Sequence, residues 1–452
     1  MVTFEQAKAL ADLIGSDHVI FPDSPDYHAR RKVWNGMIDR HPALIVRPAT
    51  AAQVSAVVTA AARSGIPLAV RCGGHSFPGF STCDDGIVLD LTRMNQITVD
   101  PEARIAEVGG GALLGDLDRA GAPHGLVTPA GLVSHTGAGG LTLGGGMGWT
   151  SRRLGLTIDS LLAVELVTAE GRVIEVSNDS DPDLFWGLRG GGGNFGIVTK
   201  FRFRMHRLGP ITVGVWSYPP DRAVQALNSL AAASDVAPRS QTTVALTTLS
   251  GVHVTAFHSG DDGMGASSTA PFGHLAGPGE GGLVATDYVT LQSRGDDRIC
   301  WGRRYYGRGG FLAKPDGAIA ETIAELARSA PTPDSEIYMI QLGGAVSDVA
   351  EDATAYSGRG GGFYWIVQPI WDDPADDARC LDWGRKGGAR LAALSQAGNY
   401  LNEQGETGRD VALQAYGAAK FERLTRLKAR MDPGNLFRLN QNIAPAPGLT
   451  PA

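Results

Sequence analysis

Apolar positions fall at helical spacing early in the chain. Val54, Val57, Val58 and Ala61 share one face of a predicted helix. Thr50 and Gln53 have the spacing of a capping box that opens it, and Gly65 closes it. Thr3-Phe4-Glu5-Gln6 predicts a similar start for a short helix that stops near Gly15. Pro67–Val70 and Ile87–Leu91 are short continuous apolar runs, the mark of buried strands. Ile97–Val99 and Arg104–Val108 flank Asp100-Pro101-Glu102 and predict a hairpin, and Ala112–Ala120 a short helix. Leu161–Thr168 and Arg172–Val176 pair across Ala169-Glu170-Gly171. Asp181-Pro182-Asp183 sets a cap, a first-turn proline and an acidic first turn ahead of Leu184, Phe185 and Trp186. Ile197–Phe203 predicts one more strand.

The pattern changes near Gly209-Pro210. Beyond it, strand-like runs (Ile211–Tyr218, Thr243–Thr248, Ile337–Leu342, Phe363–Ile370) mix with a helical run at Ala318–Ala330. Gly260–Gly282, rich in Gly, Ser and Pro, predicts a surface loop. A chain of 452 residues exceeds one ordinary core. These shifts divide it into a first domain at 1–207, a second at 208–416, and a segment at 417–452 that returns to the first.

Composition narrows the class. With 43% hydrophobic and 19% charged residues, the chain reads as a soluble globular protein. A net charge of -7 gives no reason to expect nucleic-acid or anionic-membrane binding. No apolar run reaches the ~20 residues that span a bilayer. The start lacks the basic and apolar regions of an export signal, so a cytoplasmic location is expected. The four cysteines form no Cys-x-x-Cys and no His pair has zinc-site spacing, so no metal is expected.

Candidate chemistry lies in the 61 glycines. Arg71-Cys72-Gly73-Gly74-His75-Ser76 ends one hydrophobic stretch, and Gly137–Gly148 forms a second glycine tract. Glycine lets backbone run close to a ligand and turn its N–H groups toward it. Two such tracts suit a large anionic cofactor laid along the main chain, with His75 as a nucleophilic anchor. A dinucleotide fold of the Rossmann type fits poorly, because no glycine stands three residues after Gly139. A serine hydrolase fits poorly too. Gly74-His75-Ser76-Phe77-Pro78 puts proline where the nucleophile elbow needs glycine.

Six ordered motifs make the match specific. They are Tyr27…Trp34-Asn35 with Arg47-Pro48; Val70–Ser76; Gly86–Leu91; Thr128-Pro129-Ala130-Gly131 through Gly148; Asp183–Val198; and Asp432–Ile443. On these the chain resembles the berberine-bridge-enzyme-like FAD oxidases of the vanillyl-alcohol-oxidase/para-cresol-methylhydroxylase superfamily. Ser134-His135-Thr136-Gly137 and Ala415–Leu424 resemble the histidyl-only branch, which includes 6-hydroxy-D-nicotine-oxidase-like enzymes and the enterocin-pathway flavin oxygenase.

The resemblance implies an α+β fold. A para-cresol-methylhydroxylase (PCMH)-type FAD-binding domain of two subdomains would be joined to a substrate-binding domain, an antiparallel sheet covered by helices. It implies FAD bonded through its 8α-methyl to His75 alone, since Val133 stands where doubly linked relatives carry cysteine. Arg71, Cys72, Gly73, Gly74, Ser76 and Gly79 would surround that bond. Pro129, Gly131, His135, Thr136, Gly137, Gly139, Gly140, Leu141, Gly145 and Gly148 would follow the cofactor, joined by Gly196, Val198, Asn440 and Asn442. Thr136 and Leu141 would border the approach of O2. Relatives take a substrate proton with a tyrosine in Tyr-x-Asn-Tyr; here Tyr400-Leu401-Asn402-Glu403 offers Glu403 as the base. Tyr338, Tyr364 and Gln368 are further candidates on strands of the second domain, Tyr364 and Gln368 on one face. The expected reaction is hydride transfer from a small or mid-sized hydroxylated natural product of secondary metabolism, such as a polyketide or aromatic alcohol, with O2 either accepting the electrons as an oxidase's acceptor or yielding an oxygenating flavin species. The alternatives are an amine, alkaloid or oligosaccharide oxidase, a dehydrogenase that avoids O2, and a non-catalytic flavin binder. The oligomeric state is not legible.

Overall fold

Residues 4–446 are described by the structure, a computed structural model. Thr3, the expected first cap, lies outside them. Helix Phe4–Ile14 ends at Gly15, whose φ of 97° suits glycine. In helix Ala51–Ser64, Thr50 accepts a hydrogen bond from the Gln53 amide at 3.2 Å. The Gln53 side chain reaches back one residue further than a capping box requires, to the Ala49 amide at 2.7 Å. Val54, Val57, Val58 and Ala61 are fully buried against the first sheet.

That sheet has four strands in the order Val19–Ile20, Leu44–Val46, Ile87–Asp90, Leu68–Arg71, and the last three run parallel. A five-stranded antiparallel sheet follows, built from Ile97–Asp100, Ile105–Gly109, Ile197–Arg204, Leu161–Val167 and Val173–Ser177. Its buried Phe201 and Phe203 stack at 5.7 Å in a core shared with Trp186, Phe195 and Leu424. The first glycine tract leaves the end of strand Leu68–Arg71, where a parallel sheet opens its ligand crevice.

The remaining lobe is a seven-stranded antiparallel sheet. Its order is Glu280–Val284, Ile211–Tyr218, Gly251–Ser259, Gln241–Thr248, Glu336–Gln341, Phe363–Gln368, Arg308–Leu312. Alternation divides its two faces. Trp216, Val254, Ala245, Ile337, Met339, Trp365 and Val367 pack beneath helices Ala223–Asp235, Gly317–Arg328 and Asp377–Ala392. The opposite face, with Val215, Val244, Tyr338, Ile340, Tyr364 and Ile366, meets Trp34, Phe77, Met147 and Trp149 of the first lobe.

Two segments differ from the sequence reading. Gly260–Gly282 is not a plain loop. It holds helix Gly265–Thr269, buries Phe272 and Leu275 against Trp216 and Tyr218, and begins the edge strand Glu280–Val284. Its small residues permit close packing: a Cβ at Gly273 would lie 2.9 Å from the Trp216 indole nitrogen. The helical stretch Arg409–Met431 breaks at Gly417 (φ 71°), yet the piece before the break already places Ala412 and Tyr416 in the first lobe's core. No helix among the described residues is long and apolar enough to cross a membrane.

The C-terminal Asp-Pro-Gly-Asn motif is a structural clamp. Lys428 Nζ donates to Asp432 Oδ2 at 2.6 Å, to Asn194 O at 2.8 Å and to Phe437 O at 2.9 Å. Asp432 accepts from the amides of Leu436 and Phe437. Lys428 and Asp432 are both buried, so removing one partner strands the other. Asp432→Ala is expected to cost about 3–5 kcal/mol, read as a lower denaturant midpoint. An unchanged midpoint would refute the clamp.

Candidate active site

Between the lobes lies a cavity of about 670 Å3, within the usual size of cofactor and substrate sites. One half is glycine-walled backbone: Cys72–Ser76, Gly137–Leu141, Gly190–Asn194 and Gly196–Val198. The other half is the free face of the seven-stranded sheet.

The two glycine tracts meet main chain to main chain. A Cβ at Gly73 would lie 2.2 Å from the Gly137 nitrogen, and one at Gly137 would lie 2.6 Å from Cys72 Sγ. Neither position tolerates a side chain. The second tract is not extended: Ala138–Gly144 winds into a short helix held by tertiary contacts, not by propensity. Cys72 is a packed thiol. Its sulfur donates to Ala112 O at 3.4 Å, and burial pushes its pKa up to about 11.

His75 sits on the cavity wall in an aromatic stack. Trp34 lies parallel to it at 5.0 Å, and Tyr305 of the second lobe lies on Trp34 at 3.8 Å. His75 Nε2 is hydrogen-bonded to His135 Nδ1 at 2.7 Å, so its Nδ1 is the ring nitrogen left for other chemistry. Burial, with His135 adding, pushes the His75 pKa down to about 3. Its imidazole is neutral at physiological pH, the nucleophilic form.

The sequence-assigned flavin residues fall into two sets. Cys72, Gly73, Gly74, His75, Ser76, Gly131, Thr136, Gly137, Gly139, Gly140, Leu141, Gly196, Val198 and Asn440 line the cavity. Arg71, Gly79, Pro129, His135, Gly145, Gly148 and Asn442 do not. The glycines among these answer to protein neighbours. A Cβ at Gly148 would lie 1.9 Å from Ala130 O, at Gly145 2.7 Å from the Tyr356 ring, and at Gly79 2.6 Å from Ile38. Arg71 is buried, donates to Arg30 O and lies over Trp301 at 5.5 Å. His135 stands behind His75.

Two observations fit FAD to this half. A Cβ at Gly140 or Gly193 would meet nothing within 4 Å, so bare backbone faces open space. Asn440 Oδ1 and Gln441 Oε1, on residues of the same wall, are buried without a partner.

The expected proton-transfer residues lie on a turn seated on the second glycine tract and on the free face of the sheet. Tyr400, Asn402 and Glu403 come from one turn. Asn402 donates to Leu141 O at 3.0 Å and to Tyr400 Oη at 2.8 Å, and Tyr400 Oη accepts from the Gly146 amide at 3.1 Å. That strap fixes the turn on the second glycine tract and turns Glu403 into the cavity. Glu403 is half-buried and lines this cavity. Burial raises its pKa to about 7; the Tyr364 hydroxyl opposes that rise and the Glu336 charge adds to it. Tyr338 and Gln368 line the cavity, whereas Tyr364 lies just behind it. The Tyr364 hydroxyl lies close enough to Glu403 to favour its charged form, and it has no other hydrogen-bond partner among the described residues.

Sequence reasoning missed several groups. Glu336 is buried, pairs with Arg298 and stands across from Gln368 in the sheet. A charge two residues from Tyr338 in an apolar strand was the available signal. Ser217 Oγ and His253 Nδ1, at 2.9 Å, extend this polar band. Trp34 was visible only as part of a motif, without its stacking role.

Similar proteins identify the family. An FAD binding domain model matches residues 42–177, and a berberine and berberine-like model matches 399–444. An FAD-linked oxidoreductase of Dictyostelium discoideum is 32% identical over 92% of this chain and 91% of its own. The chain belongs to the berberine-bridge-enzyme-like family of FAD-linked oxidoreductases. The (R)-6-hydroxynicotine oxidase of Paenarthrobacter nicotinovorans, in this family, is 30% identical over 94% of the chain and 96% of its own. The crystal structure of 6-hydroxy-D-nicotine oxidase from Arthrobacter nicotinovorans superposes with a TM-score of 0.84 at 27% identity, covering 95% of this chain and 98% of that one. The α+β architecture expected from the sequence is therefore the berberine-bridge-enzyme-like one. Within it, Tyr400-Leu401-Asn402-Glu403 lies in the segment matched by the berberine-like model.

Proposed function

We propose that the protein oxidises a mid-sized hydroxylated substrate, of polyketide or aromatic-alcohol type, using FAD bonded to His75 and O2 as acceptor. The observation that carries this is a carboxyl, Glu403, turned into the same cavity whose glycine-walled half holds a neutral histidine. FAD, when bound, supplies a two-electron acceptor that dioxygen can reoxidise.

The protein's residues do the rest. Glu403 takes the substrate hydroxyl proton, and its pKa near 7 suits a base at physiological pH. Tyr338 and Gln368 orient the substrate oxygen, while Trp149, Val244, Leu246 and Leu291 bury its apolar body. Thr136 and Leu141 flank the wall where dioxygen approaches. The mixture of apolar and polar wall favours a molecule with both characters over a fully hydroxylated sugar.

A screen of anaerobic flavin bleaching against alcohols, polyphenols, amines and oligosaccharides tests the substrate class. Aromatic or polyketide alcohols should bleach the flavin fastest, and air should restore its colour within seconds. Fastest bleaching by oligosaccharides or amines would replace the substrate assignment. Failure to recolour in air would replace the acceptor.

A further inference from the structure

His75 on the cavity wall and His135 behind it form a two-imidazole unit. They come from the two glycine tracts, 60 residues apart, and their rings lie 4.7 Å apart at 41°. Among the described residues His135 Nε2 is buried without a partner, and the bond to His75 is the ring's only side-chain hydrogen bond. Asp296 stands beside His135, and its own carboxylate accepts from Ser134 N at 3.0 Å and from Ser134 Oγ. A hydrogen bond between two neutral imidazoles holds one shared proton. When His135 Nδ1 accepts, His75 carries its proton on Nε2 and presents a bare lone pair on Nδ1.

We infer that His135 is the proton acceptor for covalent attachment of FAD to His75. The inference rests on the reading of His75 as the anchor. A ring nitrogen that bonds to carbon while the opposite nitrogen keeps its proton becomes a cation, and the buried position of His75 disfavours that charge. Transfer of the Nε2 proton to His135 keeps His75 neutral as the bond forms. The Asp296 carboxylate then favours the protonated His135, against the burial that lowers its pKa. The balance is complete with dioxygen. A C–H of the flavin 8α-methyl and the N–H of His75 are replaced by one C–N bond, and two electrons and two protons leave as H2O2. Trp34, stacked at 14° to His75, holds the imidazole plane during attack.

The test uses full-length apoprotein from riboflavin-starved cells, mixed with FAD in air. Intact mass and acid-stable yellow colour follow attachment over time. The wild type should attach flavin to completion. His135→Ala and His135→Gln should bind FAD with little change in Kd but attach it at least ~100-fold more slowly. Free imidazole in the buffer should restore part of the His135→Ala rate, and the residual rate should climb with pH as hydroxide substitutes. Attachment by His135→Gln at the wild-type rate would overturn the inference. So would a slow His135→Ala rate that ignores both imidazole and pH, since that marks a packing defect. If the wild type attaches no flavin, or His75→Ala still does, the anchor reading fails and the inference fails with it. A wild type that attaches flavin beside an inert His75→Ala confines any failure to His135.

Discussion

Glu403→Gln is expected to slow reduction of bound flavin by substrate about 10²–10⁴-fold, the usual worth of a positioned general base. Flavin content should not change, because the strap onto the second glycine tract is made by Tyr400 and Asn402, which the variant keeps. The pH profile carries the sign. Glu403 has its pKa raised by burial to about 7, so below that value it holds its own proton and cannot take another. The wild-type reduction rate should therefore rise with pH through about 7 and level above it, while the variant stays low and flat. Stability moves the other way. The raised pKa means that ionising Glu403 costs the folded state, a loss that starts above the unfolded carboxyl value near 4.5 and is complete above about 7. At pH 8 the variant should melt higher than the wild type, and below pH 4.5 the gap should close. Stopped-flow reduction at an unchanged rate would remove Glu403 as the base and turn attention to Glu336.

Why Glu403 was legible and Glu336 was not follows from how each is placed. Glu403 belongs to a contiguous motif whose Tyr400 and Asn402 strap it to the second glycine tract, so four successive letters hold the whole device. Glu336 owes its setting to Arg298, 38 positions away, and to the strand that carries Gln368. That pairing arises only from a sheet order that interleaves 211, 251, 241, 336 and 363, which no local pattern encodes. The same contrast separates Thr50-Gln53, a cap read from spacing alone, from the stack of His75, Trp34 and Tyr305. Glycine was the ambiguous letter. A missing Cβ makes room equally for a ligand and for another stretch of backbone, so Gly140, open to the cavity, and Gly148, pressed on Ala130 O, look alike in sequence. The 260–282 segment misled for a related reason. Most of it is exposed as expected, but Gly273 and Gly279 pack tightly against Trp216 and Tyr218 and Phe272 and Leu275 are buried there.

His75→Ala is expected to abolish acid-stable flavin altogether, leaving at most FAD that is released on precipitation of the protein. The claim is stronger than for a doubly linked flavoprotein, because neither Val133 nor Cys72 on the cofactor half offers a ready second nucleophile. Val133 lines the cavity at the position where a thioether would need cysteine, and its side chain has no nucleophilic atom. Cys72 is three residues from His75, but its sulfur is committed to Ala112 O, and with its pKa near 11 almost none of it is thiolate at pH 7. His135 cannot take over by default. It lies behind His75, off the cavity wall, with its Nδ1 turned toward the position the lost ring occupied. The variant should still fold, since removing the ring leaves the Trp34–Tyr305 stack at 3.8 Å in place. It should bind FAD reversibly through the glycine tracts and the Asn440–Gln441 wall. Acid precipitation followed by fluorescence of the pellet decides the matter. Yellow pellet from His75→Ala would mean that a second attachment point exists and that the single-bond reading is wrong. Colour confined to the supernatant, beside a yellow wild-type pellet, would leave His75 as the one covalent tie.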